Sequence, residues 1–170
     1  MNIKKIVLIT LVLFLSTSLL TAAYYKKKAP VRRNTTATFL KGDLFVTPQI
    51  GFNSWALPFG VNVEKAITEN IGVGGTVMAW FWGGGGLIVP SVEAAYHFTM
   101  LEVDKLDLSA GGGLGFAIAT GGGFDSSIYP FILLNGRYFF KPKMAVNLRL
   151  NISFGTWGSA GGLVGVTFRL

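Results

Sequence analysis

The 170-residue chain contains no cysteine. Disulfides, thiolate nucleophiles, cysteine-based metal centres and a lipid-modified cysteine anchor are therefore excluded. Histidine is nearly missing as well. His97 stands alone, which rules out a multi-histidine metal site. Charge is sparse, at 14% of residues, and none of the glycine clusters leads into a Lys-Ser or Lys-Thr at a helix start, so no phosphate loop is encoded. Beyond residue 25 no apolar run reaches the length of a membrane helix, although 51% of all residues are apolar. Apolar residues must then be dispersed, and their spacing decides the fold.

The first residues do hold one apolar run. Lys4 and Lys5 precede Ile6 to Leu15, and Ser16 to Ala23 is rich in small residues. That order predicts a secretory signal peptide over 1–23, cut after Ala23. An uncleaved anchor is the competing reading, because Ile6 to Ala23 could just span a bilayer. Residues 24–41 follow as a basic, flexible arm carrying Lys26, Lys27, Lys28, Arg32 and Arg33. The net charge of +7 resides in these two segments, since the chain from Gly42 onward has seven basic and eight acidic residues. No basic motif falls in the remaining chain, so no nucleic-acid partner is expected.

From residue 42 the pattern has period two, the signature of strands with one apolar and one polar face. The end of the chain is the plainest case: Gly162, Val164, Val166, Phe168 and Leu170 share one face, and Thr167 and Arg169 lie on the other. Similar alternation marks seven earlier segments, beginning near Leu44, Phe59, Ile71, Ile88, Leu106, Ile128 and Val146. Eight strands, mostly of about ten residues or more, suit tilted bilayer crossings. The non-apolar faces hold roughly one charge per strand, too few for a water-exposed surface and suited to a narrow lumen. The predicted fold is all-β: an eight-stranded antiparallel up-and-down transmembrane β-barrel over 42–170. A secreted lipocalin-like barrel with its apolar face inward is the alternative.

In this architecture, in the segment Val63 to Val73 (VEKAITENIGV) and in the ending Val166-Thr-Phe-Arg-Leu170, the chain resembles the small eight-stranded outer-membrane barrels. These include the OmpA transmembrane domain, OmpX and OmpW. The resemblance implies residence in the outer membrane of a Gram-negative bacterium, with phospholipid and lipopolysaccharide as surroundings. It also implies contact between the C-terminal strand and the insertion machinery, although that strand ends on Leu170 and not on an aromatic residue. A monomer is expected, with no cofactor. Lipid A-modifying relatives use a His paired with a Ser, and His97-Phe98-Thr99 lacks the pattern, so no enzyme is expected. The turns near 68–70, 102–105 and 141–143 would face the periplasm. Trp55, Trp80, Trp82 and Trp157 then fall near the outer ends as an aromatic belt.

Alternation points seven charges inward: Asp43, Glu64, Glu93, Asp107, Arg137, Arg149 and Arg169. Counting heights from the turns pairs Asp43 with Arg169, Asp107 with Arg137, and Glu93 with Arg149, as buried charges require partners. The pairs predict a polar plug, with a small wet channel as the alternative. His97 reads as a hydrogen-bonded lumen residue, too far along its strand for a direct pair with Glu93. Higher up, Met78, Trp80, Trp82, Tyr129, Phe131 and Leu133 line either packed interior opposite glycines 111, 113 and 115 or a small apolar pocket. Function divides accordingly. A structural, membrane-integrity barrel comes first and a narrow, porin-like conduit for small hydrophobic molecules second. A surface adhesin is disfavoured by short outer loops.

Overall fold

The computed structural model describes residues 38–170, apart from 54–56, 83–84, 102, 121–125 and 156–157 and the side chains of Trp82 and Thr120. The described residues belong to the unit Thr35–Leu170; the predicted signal peptide and most of the predicted arm lie outside the described residues. Eight strands follow in order: β1 (Leu44–Asn53), β2 (Phe59–Ala66), β3 (Ile71–Trp82), β4 (Gly85–His97), β5 (Leu106–Thr120), β6 (Ser127–Lys141), β7 (Met144–Ser153) and β8 (Ser159–Arg169). A 3-10 turn over Thr99–Leu101 lies between β4 and β5. Each strand pairs antiparallel with its sequence neighbour, and β1 pairs with β8 to close the barrel.

Several strands run longer than the alternation suggests, β4 and β8 among them. β4 begins at Gly85, paired with Trp82, and β8 begins at Ser159, paired with Ser153. Small residues at these ends continue the ladder. The lower end of the barrel is where β1 begins and β8 finishes; the upper end carries the connections after β1, β3, β5 and β7.

The two faces are sorted as the alternation requires. Leu44, Val46, Pro48, Ile50 and Phe52 of β1 point outward, while Phe45, Thr47 and Gln49 are buried in the lumen. Val92, Leu134 and Leu148 of three other strands are 66%, 59% and 58% exposed on the outer wall. Glu64, Thr76, His97, Asp107, Asn135, Arg137, Asn147 and Arg149 are buried inside. Such a molecule is inverted relative to a water-soluble barrel. Its wall suits hydrocarbon, and closure satisfies the strand edges that hydrocarbon could not. The lipocalin-like alternative is thereby set aside.

The closing seam has one irregularity. The β1–β8 pairing skips Thr47 and Pro48, where proline has no N–H to give. In the lumen beside this gap the Thr47 and Thr167 hydroxyls hydrogen-bond to each other at 2.8 Å, so side chains tie the seam where the backbone does not.

Leu148→Arg, which puts a cation on the outer wall of β7, is expected to destabilise the barrel in lipid vesicles by about 2–4 kcal/mol in urea titrations. The unboiled wild type should also migrate differently from the boiled protein in SDS gels. A soluble barrel would tolerate the arginine and show no such shift.

Candidate functional site in the lumen

The lower lumen is built around four charged or ionisable side chains from four strands. Glu64 (β2), His97 (β4), Asp107 (β5) and Arg137 (β6) form a closed ring. His97 Nε2 lies 2.9 Å from Glu64 Oε1 and Nδ1 lies 2.7 Å from Asp107 Oδ1. Arg137 Nη1 reaches Asp107 Oδ2 at 3.3 Å, and Nη2 donates to Glu64 Oε2. Each carboxylate bridges one imidazole nitrogen and one guanidinium nitrogen. Both ring nitrogens can donate only as imidazolium, and the ring then carries two positive and two negative charges. Glu64 must cross β3 to reach His97. Gly72 on β3 permits this, because a Cβ there would collide with Glu64 Oε1.

Below the ring lies an aromatic floor. Phe39 stacks on the His97 imidazole at a centroid distance of 3.6 Å and an interplanar angle of 13°, and on Phe45 at 5.7 Å. Phe139 packs edge-on against Phe45, and the Arg137 guanidinium sits 4.6 Å above the Phe45 ring. Ala66 and Ala145 complete the layer. Phe39 is held by a short turn: Asp43 Oδ2 accepts from the Leu40 N–H at 2.9 Å, and Gly42, at φ 98°, bends the chain into β1. Arg169 Nε and Nη2 donate to the same Asp43 oxygen at 2.9 and 2.7 Å.

A second charged tier lies above the ring. Arg149 Nη1 and Nη2 donate to the two oxygens of Glu93 at 2.7 and 2.6 Å, a bidentate pair across the lumen. Asn62 Nδ2 and Thr76 Oγ1 donate to the same carboxylate at 2.8 and 3.2 Å, and Asn151 Oδ1 accepts from Arg149 Nε at 2.9 Å. Between the tiers lies a cavity of about 10 Å³, room for about one water, among Ser109, Asn135, Arg137 and Asn147.

Above the second tier is a cavity of about 70 Å³, lined by Met78, Trp80, Tyr129 and Phe131 together with Thr76, Ser91, Arg149 and Asn151. Tyr129 and Phe131 lie over inward glycines of β5. A Cβ on Gly115 would stand 2.6 Å from Tyr129 Cζ, and one on Gly113 2.8 Å from Phe131 Cζ.

The structure thus brings together Asp43 with Arg169, Asp107 with Arg137, and Glu93 with Arg149. Glu64, which had no assigned partner, meets both Arg137 and His97. Of the expected pocket residues, Leu133 lies lower, packed with Ala95 and Phe131. Trp80 requires a correction: its side chain is buried in the lumen and cannot join a lipid-facing belt. On the outer wall near that end stand Phe52, Phe59, Phe81, Phe116 and Phe154. Trp55, Trp157 and the Trp82 side chain lie outside the described residues. Phe39 was read as part of the arm, yet it is fully buried in the barrel. The sequence signal for it was slight: an apolar Phe-Leu pair directly before Gly42-Asp43. Among the described residues no cluster suits a metal ion.

No family model and no curated protein matches the chain. Solved structures do. The N-terminal β-barrel domain of Pseudomonas aeruginosa OprF matches with TM-score 0.66 and 16% identity over 76% of this chain and 98% of that one. OprG of the same organism matches at 0.53 and 8%, covering 78% and 98%. Ail, the attachment invasion locus protein of Yersinia pestis, matches at 0.52 and 13%, covering 77% and 100%. At these identities the likeness is one of fold: the chain has the architecture of small outer-membrane β-barrels.

Arg149→Met strands the Glu93 carboxylate and is expected to cost about 3–5 kcal/mol of unfolding free energy in vesicles. The double variant Glu93→Leu/Arg149→Met should recover most of that loss. A double-variant loss equal to the sum of the Arg149→Met and Glu93→Leu losses would show that the pair is not coupled.

Proposed function

We propose that this chain is an outer-membrane barrel with a structural, membrane-integrity role, its lumen closed by side chains and not open for transport. One observation carries the reading. Two charged tiers and an aromatic floor fill the lower lumen, and the cavity between the tiers, about 10 Å³, has room for about one water. A conducting path would have to break the bidentate Glu93–Arg149 pair, the four-membered ring and the Phe39 stack in turn. The neighbours' fold supports an outer-membrane location, as does the apolar wall. The lower end, with its short turns, faces the periplasm in this reading. A monomer embedded in phospholipid and lipopolysaccharide, delivered by insertion machinery that engages β8, completes it.

A catalytic role is disfavoured because His97 is fully buried and both its nitrogens are engaged. A second reading has one supporting observation. The upper cavity, with Trp80, Tyr129 and Phe131 on its wall, offers a place for a small apolar molecule entering from outside, as a conduit for hydrophobic compounds would need. The Glu93–Arg149 tier closes that cavity from below.

Planar-bilayer recordings of the refolded chain decide between them. The plugged reading expects no stepwise conductance from the wild type. It expects Glu93→Ala/Arg149→Ala to stay closed too, because the ring and floor still block the path. Sustained steps from the wild type would refute the plug, and steps appearing only in the double variant would reduce it to a single gate.

A further inference from the structure

The basic residues of the barrel are divided by type and by height. All three arginines, Arg137, Arg149 and Arg169, project inward and are in ion pairs. All five described lysines sit at the lower end and are exposed: Lys41 before β1, Lys65 near the end of β2, Lys105 in the turn before β5, and Lys141 and Lys143 around the β6–β7 turn. Among the described residues none of these lysines is in a salt bridge. The exposed acids described at that end are Glu69 and Asp104. The opposite end differs sharply. By sequence its four connections, 54–58, 83–84, 121–126 and 154–158, contain no lysine or arginine and one charge, Asp125.

A second observation sets the depth of the lysines. Tyr138, Phe140 and Phe168 stand 52%, 46% and 39% exposed on the outer wall near the lower end, with Tyr96 and Phe98 packed edge-on at 5.5 Å beside them. Register ties the lysines to these rings. Lys105 precedes Leu106, whose cross-strand partner is Tyr138, and Lys143 precedes Met144, whose partner is Phe168. Aromatic rings of this kind lie at the headgroup level of a bilayer. The lysines, one step nearer the aqueous phase on flexible stems, reach the phosphate layer.

We infer that the lower rim is a lysine collar that binds the headgroups of anionic phospholipids in the leaflet on that side. The cation-poor upper rim has no lysine or arginine with which to hold phosphate. The barrel is therefore matched to a membrane whose anionic phospholipid lies at the end where β1 starts. Five ammonium groups with no carboxylate partner at headgroup depth give the attraction, Lys65 also donating to the Gly42 carbonyl at 2.5 Å. Lysine suits it, since a mobile point charge can follow mobile lipids, whereas the planar arginines are reserved for fixed pairs inside.

The inference rests on the transmembrane reading, and the test separates the two. The full chain is folded into phosphatidylcholine vesicles containing spin-labelled phosphatidylglycerol, spin-labelled phosphatidylcholine or spin-labelled lipid A. Boundary-lipid association is then read by electron paramagnetic resonance, and SDS gel mobility with and without boiling is checked on the same samples. Phosphatidylglycerol should associate about fivefold or more above phosphatidylcholine, and salt should reduce the difference. Lys65→Gln/Lys105→Gln/Lys141→Gln/Lys143→Gln should abolish the preference while keeping the heat shift, and the matching arginine variant should restore it. Soluble glycerol phosphate should not displace the label.

Equal association of the two phospholipids with the heat shift intact would overturn the collar alone. A preference for lipid A, or displacement by glycerol phosphate, would also overturn it. Loss of the heat shift in the wild type would overturn the barrel reading itself. Should the glutamine variant fail to fold, the wild-type lipid comparison and its salt dependence decide the matter unaided.

Discussion

Four side chains that cannot be buried singly set the terms for this barrel. Glu64, His97, Asp107 and Arg137 come from β2, β4, β5 and β6, and each contacts two of the others. Each alone would carry a desolvation cost of several kcal/mol. Together they leave no carboxylate oxygen or imidazole nitrogen unpaired. The ring requires four strands at fixed heights, so it specifies register as well as filling space. A slip of one residue in any of those strands would turn its charge onto the lipid face. The aromatic floor then acts as insulation: Phe39, Phe45 and Phe139 exclude water from the ring and strengthen every interaction within it.

The charge layout divides labour between two chemistries. Arginines, planar and pre-organised, make the fixed pairs inside, among them the bidentate contact to Glu93. Among the described residues, lysines are kept for the rim. Glycine serves the same interior in a different way. Gly72 opens the passage through which Glu64 reaches its partners, and Gly113 and Gly115 accept the rings of Phe131 and Tyr129. The lumen is thus packed by large side chains on some strands set against none on their neighbours.

Much of this was legible in the chain because period-two alternation reports directly which side chains share a face. Heights along the strands were countable from the polar turns, which sufficed to match Glu93 with Arg149 and Asp43 with Arg169. His97 as the centre of a ring was not legible. Spacing along one strand tests only partners on that strand, and Glu64 reaches His97 across an intervening one through the gap at Gly72. Phe39 escaped for a related reason: it precedes the first strand, so no alternation marks it as inward. Trp80 was placed in a lipid-facing belt by its height, although its parity already pointed it inward beside Met78; parity was the better guide.

The seam between β1 and β8 bears on how the chain reaches this state. Every other strand pair is a hairpin that can form between near neighbours. The Thr47–Thr167 and Asp43–Arg169 contacts join residues 120 and 126 apart in sequence. Closure is therefore the slow, entropically costly event, and until it happens β1 is an open edge beside hydrocarbon. Pro48 sits on that edge where the β8 ladder is interrupted, and a strand edge lacking a donor is a poor template for a stranger's backbone. The two threonine hydroxyls can satisfy each other only when the correct last strand arrives. The irregularity at Pro48 thus makes β1 a poor edge for a wrong strand, and the threonine pair favours the right one.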